Sequence, residues 1–215
     1  MNQKYKHIIS LGKLCLPRMI IDKLRPKFPI RMPFDGSYHQ YDFMCEMLET
    51  DFKDYLKDCF LQKLSETKSI WSKKKAYWNH ESTEDFAALE KNCADRIAQF
   101  NQTISSGDSV MFLYWDDDKE HSTKVEKVAK IIKNRWPNLK YHVTHYNSMA
   151  PEEKIINLEN CTYLGKPFPK EKGSANGGIL GQENFDHLKD FMHSFCEILE
   201  EDVKANDHLV RRNLI

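Results

Sequence analysis

The chain predicts an α/β fold, a mostly parallel central sheet flanked by helices on both faces in a three-layer, Rossmann-like arrangement, with a small irregular hairpin inserted around 61–80. Three observations carry this. The strand 109–115 (Ser-Val-Met-Phe-Leu-Tyr-Trp) is apolar from Val110 on, as a strand covered on both faces must be. A helix-period segment over 123–136 and a strand over 140–146 follow it, completing a strand, helix, strand unit. Near the start, Ile8-Ile9-Ser10-Leu11 is an apolar strand that breaks at Gly12 and leads into a helix.

Residues 6–11 are the first strand, expected near the centre of the sheet. Pro17 suits the first turn of a helix carrying Met19, Ile20, Ile21 and Leu24, and that helix stops before Pro26. Pro29-Ile-Arg-Met-Pro-Phe-Asp-Gly36 holds two prolines, so it is an edge or loop ending in a turn. Residues 41–48 and 51–60 read as short helices. Ile70, Trp71, Tyr77 and Trp78 surround the lysines 73 to 75, which form a solvated hairpin turn. A helix starts near Ser82, where Ser82 and Asp85 have capping-box spacing, and it buries Phe86, Leu89, Cys93, Ile97 and Phe100.

In the second half, Val125, Val128 and Ile132 face inward from a helix that Pro137 ends. Cys161-Thr-Tyr-Leu164 is a further strand, and a loop rich in Pro, Lys and Gly occupies 166–182. The last strong helix runs over 184–201, with Phe185, Leu188, Met192, Phe195 and Leu199 on one face. Residues 1–202 form one domain and 203–215 a loose tail.

Thirty-two basic residues balance 32 acidic ones, so no global charge favours nucleic acid or an anionic membrane. No stretch resembles a signal peptide or reaches the length of a membrane span, and the six cysteines (15, 45, 59, 93, 161 and 196) lack close pairs. A reducing, cytoplasmic setting fits this usage.

Ligands of such sheets bind at the carboxyl ends of the strands, here Ser10 to Cys15, Asp116 to Asp118 and Asn147-Ser148. Cys15 stands at a helix start, where unpaired N–H groups favour thiolate. A thiol nucleophile needs a base, and His80, between an aromatic strand and a capped helix, is the candidate. Asp35, before Gly36, either closes its own turn or is aimed at the crevice by Phe34 anchored in the core. Asp116-Asp117-Asp118 with His121 reads as capping rather than a metal cluster, because three successive residues cannot point one way. His142 and His145 lie on opposite faces of a strand and share no metal. The loop 170–178 lacks phosphate-loop spacing and no strand precedes a Gly-x-Gly-x-x-Gly, so neither metal nor cofactor is expected.

Ser10-Leu11-Gly12-x-x-Cys15, then Pro33-Phe34-Asp35, His80, and Arg96 within Asp-Arg-Ile-Ala-Gln-Phe together resemble a bacterial family of unknown function described as "putative papain-like cysteine peptidases". The resemblance spans about residues 6 to 115. It implies Cys15 as nucleophile, His80 as base and Asp35 as an orienting or substrate-binding carboxylate. Gly36, Glu81 and Gln99 stand where the family usually has Trp, Asp and Arg, and these departures bear on the pocket.

The reading is therefore a cysteine-dependent hydrolase or acyl-transfer enzyme acting on a small-molecule, peptide or glycan-linked substrate. Backbone N–H groups from Gly12 to Cys15 would hold the oxyanion, with Ser10, Gly12, Phe34, Arg96 and Asp116 around the substrate. "Papain-like" then describes chemistry, since the cysteine follows a strand of a parallel sheet. Two alternatives are a non-catalytic α/β module binding a glycan, nucleotide or protein partner, and a serine esterase using Ser10.

Overall fold

The computed structural model describes residues 5–13, 17–18, 21–22, 30–65, 68–78, 84–116, 122–147 and 150–165. His80, Cys15, the loop 166–182, the helix 184–201 and the tail lie outside them. In chain order the elements are β1 (His7–Ser10), β2 (Tyr38–His39), α1 (Tyr41–Glu49), β3 (Phe60–Lys63), β4 (Ser69–Lys73), β5 (Ala76–Trp78) and α2 (Phe86–Ser105). They continue with β6 (Val110–Asp116), α3 (Ser122–Arg135), β7 (Tyr141–Asn147), β8 (Lys154–Leu158) and β9 (Cys161–Gly165). Pro17-Arg18 and Ile21-Asp22 have helical backbone. No helix among the described residues is long and apolar enough to cross a membrane.

The fold is mixed α/β, with a mostly parallel five-stranded sheet in the order β1-β6-β7-β9-β8 and an antiparallel four-stranded sheet in the order β2-β5-β4-β3. In the larger sheet β1, β6, β7 and β9 run parallel, and β8 alone is antiparallel to its neighbour. β6 is buried at every position, as its unbroken apolar run requires.

Three expectations need correcting. β1 pairs only with β6 among the described strands, so it forms an edge of the sheet and not its centre. The reason is topological: each parallel connection, β1 to β6 to β7 to β9, advances the same way across the sheet, so the first strand stays outermost. The expected helix over 51–60 is a series of turns, with positive φ at Asp51, Phe52, Asp54 and Asp58. Three of the four are aspartates, which tolerate that region better than most residues, and the winding path drops Phe52 and Tyr55 into the core. The small hairpin is real at β4–β5, but it is part of a four-stranded sheet that also recruits Tyr38–His39. The three described helices all contribute to one core on one face of the larger sheet.

β8 went unread in the sequence. It joins β9 through Glu159-Asn160, with Asn160 at φ 59°, the left-handed conformation that a tight hairpin demands. α2 starts at Phe86, later than Ser82, because Asp85 caps it by accepting from the Ala87 N–H at 2.9 Å. Its predicted apolar face is the observed one, with Leu89, Cys93 and Phe100 buried.

An aromatic cluster joins the two sheets. Phe100 on α2 meets Phe52 at 5.1 Å, Trp136 at 5.7 Å and Phe112 of β6 at 6.5 Å between centroids. Phe34 extends the cluster through Phe52 to Tyr55, whose hydroxyl donates to the Pro33 carbonyl. Because Phe100 is fully enclosed between β6 and the 51–58 turns, Phe100→Ala is expected to cost about 3–5 kcal/mol in urea denaturation. A loss below about 1 kcal/mol would mean that the layers are not held together here.

Candidate functional site

The carboxyl ends of the parallel strands lie side by side, since Asp116 is level with Asn147 and Asn147 with Gly165. Beyond β1 the chain continues this register: the Leu11 N–H donates to Leu113, and the Lys13 N–H to Trp115, whose own N–H donates to the Gly12 carbonyl. The turn that precedes Cys15 is thus stitched to β6.

Within the turn, Gly12 has φ +81° and its N–H donates to Ser10 Oγ at 3.3 Å. Ser10 is buried, so its hydroxyl closes the turn. Since the N–H groups of Gly12 and Lys13 are both engaged, an oxyanion hole using them is not available in this arrangement.

The second turn, Pro33 to Gly36, is locked to the first by a residue that the sequence did not single out. His39 is buried, and its Nε2 lies 2.8 Å from the Leu11 carbonyl, to which it donates. Its backbone N–H donates to the Lys13 carbonyl at 3.1 Å, and Ser37 Oγ lies 3.4 Å from Nδ1. The imidazole also packs on Phe34, 4.7 Å between centroids. It leaves no room beside Gly12, where an added Cβ would sit 2.1 Å from His39 Cε1. Burial pushes the imidazole down to a pKa of about 4, so it is neutral at physiological pH.

Phe34 is an anchor in the core, as one of the two readings expected. Asp35 fills both of its proposed parts incompletely. Its Oδ2 accepts from the Met32 N–H at 2.8 Å and lies 3.4 Å from Arg18, while Arg96 donates to its backbone carbonyl at 3.1 Å. Its Oδ1 is buried and meets no partner among the described residues. Burial raises the carboxyl to a pKa of about 6, against the opposing pull of the Met32 N–H and the guanidiniums of Arg18, Arg31 and Arg96. Arg18, itself buried, also bonds Asp22 and the Ile30 carbonyl, and it too was missed in the sequence.

Asp116 is found elsewhere in the same end of the sheet, fully enclosed. Lys124 of α3 donates to its Oδ2 at 2.9 Å, and His145 Nε2 lies 3.5 Å away. Burial alone would raise this carboxyl, but His145 and Lys124 outweigh it and hold the pKa near 2. His145 faces Asp116 while His142 bonds Thr162 on the opposite face, as the strand alternation predicts. Among the described residues no group of His, Cys, Asp and Glu has the geometry to hold a metal. Cys15, His80, Asp117, Asp118 and His121 lie outside the described residues.

A family model described as "Putative papain-like cysteine peptidase (DUF1796)" matches residues 6–147. No curated protein and no solved structure matches the chain.

Gly12→Ala is expected to cost about 3 kcal/mol, from the left-handed backbone and the collision with His39. In a His39→Ala background the collision share should vanish, and urea denaturation of the double-mutant cycle reads it as a coupling of about 1–2 kcal/mol. An uncoupled pair would show that the two side chains do not share this space.

The pH dependence has two opposing parts. His39, lowered to about 4 in the fold, destabilises it as pH falls from 6.5 toward 4, because the unfolded chain takes the proton first. Asp35, raised to about 6, withdraws stability as pH rises from 3.8 through 6, because the unfolded carboxyl ionises first. The two slopes offset each other between pH 4 and 6. Asp35→Asn removes one of them, so its unfolding free energy should drop on acidification across that window by about 3 kcal/mol relative to the wild-type profile. Parallel profiles for variant and wild type would refute the assignment.

Proposed function

Because the chain belongs to the family of "putative papain-like cysteine peptidases", we propose that it is a cysteine-dependent hydrolase or acyl-transfer enzyme with Cys15 as nucleophile and His80 as base. The thiolate of Cys15 attacks a carbonyl carbon, forming a tetrahedral oxyanion. His80 carries the proton to the leaving group, and water or a second acceptor then releases the acyl group from sulfur. With the Gly12 and Lys13 N–H groups engaged, the oxyanion donors are those that follow Lys13.

The observation that carries this reading is the clamp that His39 places between the Ser10-to-Lys13 turn and the turn bearing Asp35. It gives the segment leading to Cys15 a fixed path, and a nucleophile has to be held within a fraction of an ångström to react. Asp35 acts as a positioning residue, a buried carboxyl whose free Oδ1 faces no described partner and which Arg18 and Arg96 steady. Arg96 and Asp116 remain proposed substrate-side residues. The substrate is a peptide, an ester or a glycan-linked small molecule.

One observation favours the rival reading, a non-catalytic module that binds a glycan, nucleotide or protein. Gly12, Phe34 and Asp35 all have structural work in the two turns, which would account for the paired motifs without catalysis. The esterase reading is weakened by the engagement of the buried Ser10 hydroxyl.

Thiol labelling separates the two. Burial pushes Cys45 and Cys59 up to about 11 and also raises Cys161, while Cys93 is enclosed in the core, so these four stay protonated or shielded. At pH 7 iodoacetamide is expected to modify Cys15 at least about tenfold faster than Cys59, the half-buried member of that set. Cys15 labelling at or below the Cys59 rate overturns the nucleophile.

A further inference from the structure

The four-stranded sheet turns one face to the core and one outward, and the outward face carries a row of rings. His39, Ala76, Trp78 and Trp71 are buried on the inner face, so Tyr38, Tyr77 and Ser72, which alternate with them, point the other way. The register lines these up: Tyr38 is level with Tyr77, Tyr77 with Ser72, and Ser72 with Phe60. One row therefore crosses all four strands, and none of its members belongs to the hydrophobic core. Phe60, on the outermost strand of this sheet, is 55 % exposed.

The two tyrosines stand upright. Their rings stack with centroids 4.6 Å and planes 13° apart. That separation matches the spacing of neighbouring strands, about 4.8 Å, so the ring faces turn across the strands and not down onto the sheet. Tyr77 thus offers its second face toward β4, where the row holds only a serine. The next ring, Phe60, is two strands on, about 9.6 Å away. Ser72 floors the slot between them, and its hydroxyl donates to Gln62 Oε1 at 3.0 Å, which leaves the Gln62 NH2 group to donate outward. Ile70, level with Gln62 and on the same face, closes that end.

We infer that the outward face of the four-stranded sheet is a binding site for a neutral pyranose, seated between Tyr77 and Phe60 over Ser72. A puckered sugar ring needs about 4 Å to an aromatic plane on each side, about 8 Å in all, and the twist of the sheet brings the two rings toward that separation. A planar base stacks closer, at about 3.4 Å a side, and would leave the slot loose. The axial C–H bonds of a pyranose carry slight positive charge and are drawn to the negative face of an aromatic ring. Its hydroxyls need donors and acceptors at the rim. The Gln62 amide, the Ser72 hydroxyl and the two tyrosine hydroxyls supply them, and neither tyrosine hydroxyl has a hydrogen-bond partner among the described residues. Charge agrees. None of these six side chains is Asp, Glu, Lys, Arg or His, and burial beside Tyr38 pushes the Tyr77 hydroxyl further from ionising. The slot therefore matches an uncharged ligand and holds nothing to neutralise a phosphate. The inference stands whether or not Cys15 is a nucleophile.

Saturation-transfer NMR on the full chain tests it, with methyl β-glucoside, cellobiose, maltose and lactose as probes at about 10 mM. Transfer from aromatic protons to the C–H face of a pyranose in at least one of them is the expected result. Tyr77→Ala and Phe60→Ala should each weaken that signal about fivefold or more, whereas Tyr77→Phe keeps the ring and most of the signal. Phe60 is exposed at the margin of the sheet, so Phe60→Ala should leave the urea midpoint in place and its loss of signal reads as lost binding. Transfer to methyl β-glucoside assigns a single-sugar site and transfer to the disaccharides alone a site for glycan chains, and either supports the inference. No transfer to any probe, or transfer that survives removal of both rings, overturns it. So does stronger transfer to cytidine monophosphate through the same rings, which would make the face a base-stacking surface.

Discussion

A single buried imidazole ties the chain's two signature turns together. His39 donates to the Leu11 carbonyl through Nε2 and to the Lys13 carbonyl through its backbone N–H. The left-handed Gly12 gives it room, since any larger residue would occupy the ring's position. Remove this contact and the Pro33-to-Gly36 turn loses its direct hydrogen-bonded tie to the end of β1, leaving the aromatic path from Phe34 through Phe52 and Phe100 to Phe112 as its link to the larger sheet. Because burial keeps the ring neutral, the clamp carries no charge that solvent would compete for.

Two buried carboxylates at this end of the molecule have opposite characters. Asp116 is matched by His145 and Lys124, which outweigh its burial and hold it below the usual carboxylate range, so it is a fixed negative charge. Asp35 has guanidinium neighbours, yet burial wins and its proton is held toward neutrality. His145 and Lys124 together compensate the desolvation of Asp116, whereas the Met32 N–H and the guanidiniums around Asp35 do not outweigh its burial, and one of its oxygens is left over.

The fold class and most elements of the second half were legible because their apolar periods are long and uninterrupted, as in β6 and α3. Strand order was not legible: the run Ile8-Ile9 looks central by composition, and only the direction of successive crossovers puts it at the edge. Nor were the turns over 51–58, where aspartates in the left-handed region give the same apolar spacing as a helix while the backbone winds otherwise. At the site, Gly12, Phe34 and Asp35 stood out through turn chemistry, but His39 and Arg18 did not, because their partners are backbone carbonyls 28 and 12 residues away. Local pattern carries no record of such a contact. The family match ends at Asn147, at the tip of β7, so β8 and β9 complete the sheet from outside the matched span.

The pairing of β1 with β6 joins residues about a hundred positions apart, with His7 against Val110. Closing so long a loop is slow, and little favourable contact accrues until it shuts. During synthesis the turn before Cys15 therefore emerges first and is completed late, once the chain has been made through Trp115 and its carbonyl can receive the Lys13 N–H. The turn is left with an unmet backbone partner while the roughly one hundred residues that separate it from Trp115 are made, and its geometry waits on the arrival of the sixth strand.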